Sequence, residues 1–357
     1  MTITIKYQNN KICYFNSFEE IKNYDKVVYI NCYHNQLIVL PELPNSLQYL
    51  DCSDNKLSVL PELPNSLEIL NCDNNQLNVI DELPNSLQIL NCSFNQLSLL
   101  PKLPNSLQIL NCHSNQLNIL SELPNTLIEL YCEHNKLSVL PKLPNSLQKL
   151  ECGYNQLNVL PKLPDSLEIL WCYNNQLSVL PELPNSLQKL ECGYNQLSLL
   201  PKLPNSLEIL NCDDNQLNVI DELPNSLQEL CCFYNQLSVL PNLPNSLQIL
   251  NCHSNQLNIL SELPNTLVEL YCENNKLSVL PELPNSLQKL ECGYNQLSVL
   301  PKLPNGLKGL WCHNNQLSVL PELPNSLVHL YSLDNNKFIN KTNHKYKYLI
   351  KIIYMYY

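Results

Sequence analysis

The chain repeats itself every 20 residues. The segment LQILNCHSNQLNILSELPNT at 107–126 recurs letter for letter at 247–266, and less regular copies fill the chain from about residue 27 to 340. A period of this length describes an array of small units, none of which buries its own apolar face; stacking the copies buries them all. The 357 residues would otherwise suggest about two globular domains, but an array has no such size limit.

Residues 47–60 show what one unit must do. Leu47, Leu50, Cys52, Leu57 and Leu60 are apolar, whereas Tyr49, Asp51 and Ser53 differ from copy to copy. The spacing of two between Leu50 and Cys52 puts both on one face of a strand, and residues 49, 51 and 53 on the other. The strand must be short, because Asn55 and then Pro61 and Pro64 follow. Proline cannot donate to a ladder and fixes its own φ, so the return segment is expected to be extended or polyproline-like, not helical. Stacked copies should therefore form a parallel sheet over a continuous apolar interior. One asparagine column, Asn35, Asn55, Asn75 and onward to Asn335, is filled in all sixteen copies. An interior Asn at a strand exit can satisfy backbone groups of its turn and of its neighbours, which is a structural role.

These residues resemble the leucine-rich repeat, in the short 20-residue form with Leu-Pro-x-Leu-Pro found in bacterial type III effector proteins. The resemblance implies a leucine-rich-repeat solenoid bent into a horseshoe, with a parallel β-sheet on the concave side, extended segments on the convex side and little helix. The chain departs from those effectors in carrying Cys at the second strand position, where aliphatics are usual, and no catalytic domain can be read in it. Arginine and alanine are absent and glycine is scarce, while Asn, Lys, Ile and Tyr abound near the termini. That combination resembles leucine-rich-repeat proteins of giant DNA viruses.

The net charge of −11 with no arginine argues against a nucleic-acid backbone as partner, since that needs clustered Lys and Arg. Of the 17 cysteines, fifteen form one column from Cys32 to Cys312 on the inward strand face. Neighbours in the column are about 4.8 Å apart, but in-register strands aim their side chains alike. A small apolar thiol filling the core is favoured over disulfides or metal. Cys231 lies on the face opposite Cys232, and Cys13 stands alone. No zinc-ligand spacing occurs, no cofactor is expected, and reduced thiols suit a cytoplasmic setting. The first residues lack a secretory signal pattern, and no stretch reaches the length of a membrane span.

Residues 1–26 are expected to form an N-terminal cap: a hairpin from 2–7 and 11–15, then a short helix opened by Ser17 and Glu20 and running to about Tyr24. Such a cap would cover the exposed end of the array. The array proper spans 27–340. The basic, aromatic stretch 341–357 is expected to seal the far edge as a strand, or to bind a membrane surface or a partner.

A longer period is superposed on the short one. Residues 67–186 and 207–326 align as six repeats against six, so His113 matches His253, Tyr131 matches Tyr271, Glu151 matches Glu291 and Trp171 matches Trp311. No nucleophile elbow, phosphate loop or paired-carboxylate pocket can be read, so no enzyme is expected. Asp73, Asp213 and Asp214 are expected to be solvated acids on a strand face. The concave face is where the copies differ, and aromatics gather there. Its candidate partner-binding residues are Tyr131, Glu151, Tyr154, Trp171, Tyr173, Glu191, Tyr194, Tyr271, Glu291, Tyr294, Trp311 and Tyr331. Exposed aromatics on a rigid wall are the anchors expected of a protein interface. One reading has a partner's basic side chain seated over the Trp171 indole against Glu151 and Glu191, with Lys149 and Lys189 close by. The other has Trp, Tyr, Lys and Glu simply packing on one another. The expected function is that of a monomeric, non-enzymatic scaffold binding a protein, acting on host proteins if the chain is viral or from a pathogen. The alternatives are a substrate-recruiting part of a ubiquitin-ligase system and a passive structural repeat protein.

Overall fold

The computed structural model describes residues 2–332, 336 and 337. The chain divides into two compact units, Met1–Leu177 and Ser178–Tyr357, built from the same repeat. The first unit opens with an antiparallel hairpin of β1 (Ile3–Tyr7) and β2 (Ile12–Phe15), in which Ile5 faces Cys13. The other edge of β1 runs antiparallel to β3 (Val27–Asn31), pairing Ile5 with Ile30 and sinking Ile3 and Ile5 fully into the core. The helix expected up to Tyr24 is replaced by two short 3-10 turns, Phe18–Glu20 and Tyr24–Lys26. The Ser17 side chain makes no capping bond, and Asn23, at φ 51°, breaks the run in the left-handed region. Glu20 Oε2 instead accepts from the Asn16 N–H at 3.1 Å.

From β3 onward the unit is a parallel sheet in sequence order. Its strands are β4 (Tyr49–Asp51), β5 (Ile69–Asn71), β6 (Ile89–Asn91), β7 (Ile109–Asn111), β8 (Glu129–Tyr131), β9 (Lys149–Glu151) and β10 (Ile169–Trp171). Registers are strict, Leu50 beside Leu70 and Leu130 beside Leu150. The second unit continues the pattern with β11 (Lys189–Glu191), β12 (Ile209–Asn211), β13 (Glu229–Cys231), β14 (Ile249–Asn251), β15 (Glu269–Tyr271), β16 (Lys289–Glu291), β17 (Gly309–Trp311) and β18 (His329–Tyr331). Strands of three residues alternate with long irregular segments because each Pro-x-Leu-Pro or its variant ends the ladder. Among the described residues this is the leucine-rich-repeat solenoid expected, with almost no helix.

The core is a set of columns. Leu47, Leu50, Cys52 and Leu57 are completely buried, as are their counterparts in the repeats from Leu67 to Leu317. Full burial of one such leucine contributes about 1.5–3 kcal/mol relative to exposure. The column cysteines are free thiols, and burial pushes Cys32 and Cys92 up to about 12.

Two polar columns close the turns. Asn75 donates through Nδ2 to the carbonyls of Cys52, Cys72 and Asp73 at 3.0–3.2 Å, and its Oδ1 accepts from the Leu57 N–H at 2.9 Å. One amide thus meets four backbone groups, any of which left buried and unpaired would cost about 1–3 kcal/mol. The pattern repeats through Asn315. In the last repeat Asn336 takes this place, bonding Leu317, Cys312 and Ser332. The expected Asn335, like the stretch 341–357, lies outside the described residues. The second column is Ser66 and its equivalents, whose Oγ donates to the carbonyl of the preceding repeat, Leu47 for Ser66, at 2.6 Å.

Candidate binding surface

Within each strand the middle residue points into the core and its two neighbours point out, so residues 129, 131, 149, 151, 169 and 171 share the outer strand face of the first unit. Three of those strands build one cluster. Lys149 lies between two rings, its Nζ 4.7 Å from the centre of Tyr131 and 5.0 Å from that of Trp171. The same Nζ is 2.7 Å from Glu151 Oε1, and the Tyr131 hydroxyl donates to Glu129 Oε2 at 2.5 Å. Glu151 is only 5% exposed. Burial pushes its carboxyl up to about 7, Lys149 opposes the shift, and the nearby Glu133 carboxyl adds to it.

The second unit holds the same arrangement. Lys289 Nζ is 4.5 Å from the ring of Tyr271, 5.1 Å from that of Trp311 and 2.7 Å from Glu291 Oε1. Tyr271 donates to Glu269, and burial, followed by the Glu291 charge, raises the Glu273 carboxyl to about 7. Lysine therefore fills, from within the chain, the slot over the indole that the sequence reading offered to a partner's basic side chain. The reason is geometric: residues 149 and 151 both leave the strand on its outer face, two apart, so the ammonium folds back onto its own neighbours.

Glycines make room for the next layer. A Cβ on Gly153 would stand 3.0 Å from the Tyr173 ring. Without it, Tyr173 crosses the adjacent repeat and donates to Glu133 Oε1 at 2.6 Å, 40 positions back. Gly293 leaves space for His313, Gly309 for Trp311 and Gly193 for Asp213. Asp213 is 2% exposed and burial raises its carboxyl to about 6. The expectation of a solvated acid is corrected for Asp213, which settles over Gly193, where the preceding repeat has no side chain. Asp73 is half-buried, with its carboxyl raised by burial and by Asp51. Cys231 sits on the outer face, and burial with the Glu229 charge pushes its thiol up to about 12.

Exposed aromatics border the outer strand face in each unit. Tyr154, Tyr194 and Tyr294 are 45–51% exposed, and Phe94 and Tyr234, which the candidate set omitted, are as open. All five hold a positive φ of 48–53°, a region that bulky side chains occupy at a cost of about 1–3 kcal/mol. Backbone bonds hold them there; the Tyr154 N–H, for instance, donates to the Tyr173 carbonyl at 3.0 Å. Tyr154 stacks on His134 at 4.0 Å and meets Tyr173 edge-on at 5.4 Å. Tyr294 meets His313 at 5.0 Å, and His313 lies 4.2 Å from Tyr331. The candidate residues thus separate into buried or half-buried clusters, Tyr131, Glu151 and Trp171 in one unit and Tyr271, Glu291 and Trp311 in the other, and exposed rim tyrosines, Tyr154 in the first unit and Tyr194 and Tyr294 in the second. Glu191 lies half-buried on β11. The signal that marks the crossing side chains is the scarcity of glycine: of five in the chain, four lie on or beside the outer strand face.

Among the described residues no helix is long and apolar enough to cross a membrane. The family model described as Leucine Rich Repeat matches residues 46–65. Among solved structures, YopM from Yersinia enterocolitica is 36% identical, covering 86% of this chain and 73% of that one, with a TM-score of 0.79. YopM of Yersinia pestis, described as a leucine-rich effector protein, is 37% identical over 84% of this chain and 87% of its own, with a TM-score of 0.69. A leucine-rich-repeat protein of Leptospira interrogans is 26% identical, covers 94% of this chain and 97% of its own, and has a TM-score of 0.64. No curated protein sequence gives a significant match.

Proposed function

The chain belongs to the leucine-rich-repeat family, in the 20-residue form it shares with YopM, and from that premise we propose that it is a non-enzymatic scaffold that binds a protein through its outer strand face. The observation that carries this reading is the tyrosine rim. Tyr154, Tyr194 and Tyr294 are large and half-exposed, and the left-handed backbone that recurs at this turn position along the repeats holds them in place. Tyrosine also loses little conformational freedom on binding for the area it covers. The Tyr–Lys–Trp clusters beneath supply a stiff, partly charged floor. The partner's contact surface is assigned acidic or amide groups toward Lys149 and Lys289, and apolar groups toward the rim. The likeness to a protein described as a leucine-rich effector supports an action on proteins of another organism, in the cytoplasm of that cell.

The test is affinity capture of a binding protein on the intact chain and on a Tyr154→Ala, Tyr194→Ala, Tyr294→Ala variant, followed by measurement of both affinities. Loss of the three anchors is expected to weaken binding at least about 100-fold, at about 1–2 kcal/mol for each. Unchanged affinity would overturn the reading.

A further inference from the structure

The segments that return from one strand to the next carry a second surface, unrelated to the tyrosine rim. Along the described repeats an aliphatic side chain next to the inward-facing residue of the return segment is left about half exposed. In the first unit these are Val39, 63% exposed, followed by Val59, Val79, Leu99, Ile119, Val139 and Val159, 45–59% exposed. A continuous apolar row of this kind is uncommon on a chain that stands alone. Three positions further along each repeat lies a charged residue: Glu62, Glu82, Lys102, Glu122, Lys142 and Lys162, all exposed. None of the six makes an ion pair among the described residues. The two rows belong to one surface, since Val59, Glu62, Val79 and Glu82 line the same groove of about 490 Å³. A second groove continues it past Glu82 to Lys102.

Over the six repeats from Val59 to Lys162 both rows are self-complementary, with Val39 and Glu42 of the first unit outside that span. Reversed about the midpoint between residues 102 and 122, the charged row sets Glu62 against Lys162, Glu82 against Lys142 and Lys102 against Glu122, so every pair is of opposite sign. The apolar row reversed about the same midpoint sets valine on valine at both ends, with the larger Leu99 and Ile119 at the centre. Equal spacing, one step per repeat, keeps such pairs in step only with a ridge of the same period. The corresponding charged row of the second unit, from Glu182 to Glu322, gives no such inversion over three pairs.

We propose that this face of the first unit is an interface between two copies of the chain, packed antiparallel about a two-fold axis between Lys102 and Glu122. Apolar contacts at the centre supply the attraction and the flanking charges fix the register, the usual division of labour in an isologous contact. This proposal departs from the expectation of a monomer in favour of a reversible dimer.

Sedimentation equilibrium of the full chain at tens of micromolar tests this directly, with two charge-reversal variants. Glu62→Lys with Glu82→Lys sets like charges opposite one another in a homodimer, and so does Lys142→Glu with Lys162→Glu. Each variant alone should dimerise at least about tenfold more weakly than the parent, since four contacts turn from attractive to repulsive. An equimolar mixture of the two should dimerise as the parent does, because every pair is again opposite. Glu222→Lys with Glu262→Lys, on the second unit, should leave dimerisation unchanged. A parent chain that is monomeric at these concentrations, a variant that still self-associates as the parent does, or a mixture that fails to recover would each overturn the proposal.

Discussion

At the scale of single residues, Glu151 concentrates the chemistry of the outer face. A carboxylate 5% exposed beside a second carboxylate is held near neutrality by desolvation, with Lys149 limiting the shift. Its folded value, about 7, lies above the ordinary 4.5, so the folded state binds the proton more tightly than the unfolded one. The resulting stabilisation is complete below about 4.5 and is lost as pH rises through about 7. Glu133→Gln removes the neighbouring charge and should lower the Glu151 midpoint, read as a carboxyl carbon titration by NMR; a midpoint that stays near 7 would show that burial alone sets it. The sequence placed Glu151 on the correct face but could not disclose its burial, which depends on Lys149, Tyr131 and Trp171 closing over it. The asparagine column was legible because an invariant polar residue inside an apolar period has backbone partners as its ready explanation. The part Asn336 plays in the last repeat was not, since the 20-residue period points one position earlier.

At the scale of elements, three-residue strands present so little backbone that the side chains of the outer face are positioned chiefly by their neighbours. Glycine is the means: Gly153 and Gly293, just past β9 and β16, leave room for the Tyr173 and His313 rings of the next repeat, and Gly309 leaves room for Trp311 of its own strand. A Cβ on Gly309 would stand 2.4 Å from Cζ3 of Trp311, so Gly309→Ala must swing the indole outward. With Trp171→Phe as background, leaving Trp311 as the one indole of the two in the chain, Gly309→Ala should shift its fluorescence to longer wavelength at little cost in stability. An unshifted emission would mean that the indole has room elsewhere on the strand face. The strand and its inward columns were readable from the spacing of Leu50, Cys52 and Leu57. The exposed aliphatic row was overlooked for the same reason: Val59 adjoins Leu60 and reads as core, yet the chain turns between them and only Leu60 faces inward.

At the scale of the whole molecule, repetition separates stability from recognition. Leucine, cysteine, asparagine and serine columns hold each repeat to the next, which frees residues such as 129, 131, 133, 149, 151 and 154 to vary. Each unit carries one Tyr–Lys–Glu–Trp cluster of matching geometry, and a rim tyrosine beside it, Tyr154 in the first and Tyr294 in the second. The fold class was legible because sixteen copies in register admit few other structures. The division of the candidate residues into floor and rim was not, because the left-handed backbone at 154, 194 and 294 accepts asparagine, serine and tyrosine alike. The most direct test of the binding account is hydroxyl-radical footprinting of the chain alone and with a captured partner protein, read residue by residue. Protection of Tyr154, Tyr194 and Tyr294, with Val59 and Val79 as reactive as before, is the predicted result. Protection confined to the aliphatic row, with the three tyrosines fully reactive in the complex, would contradict it.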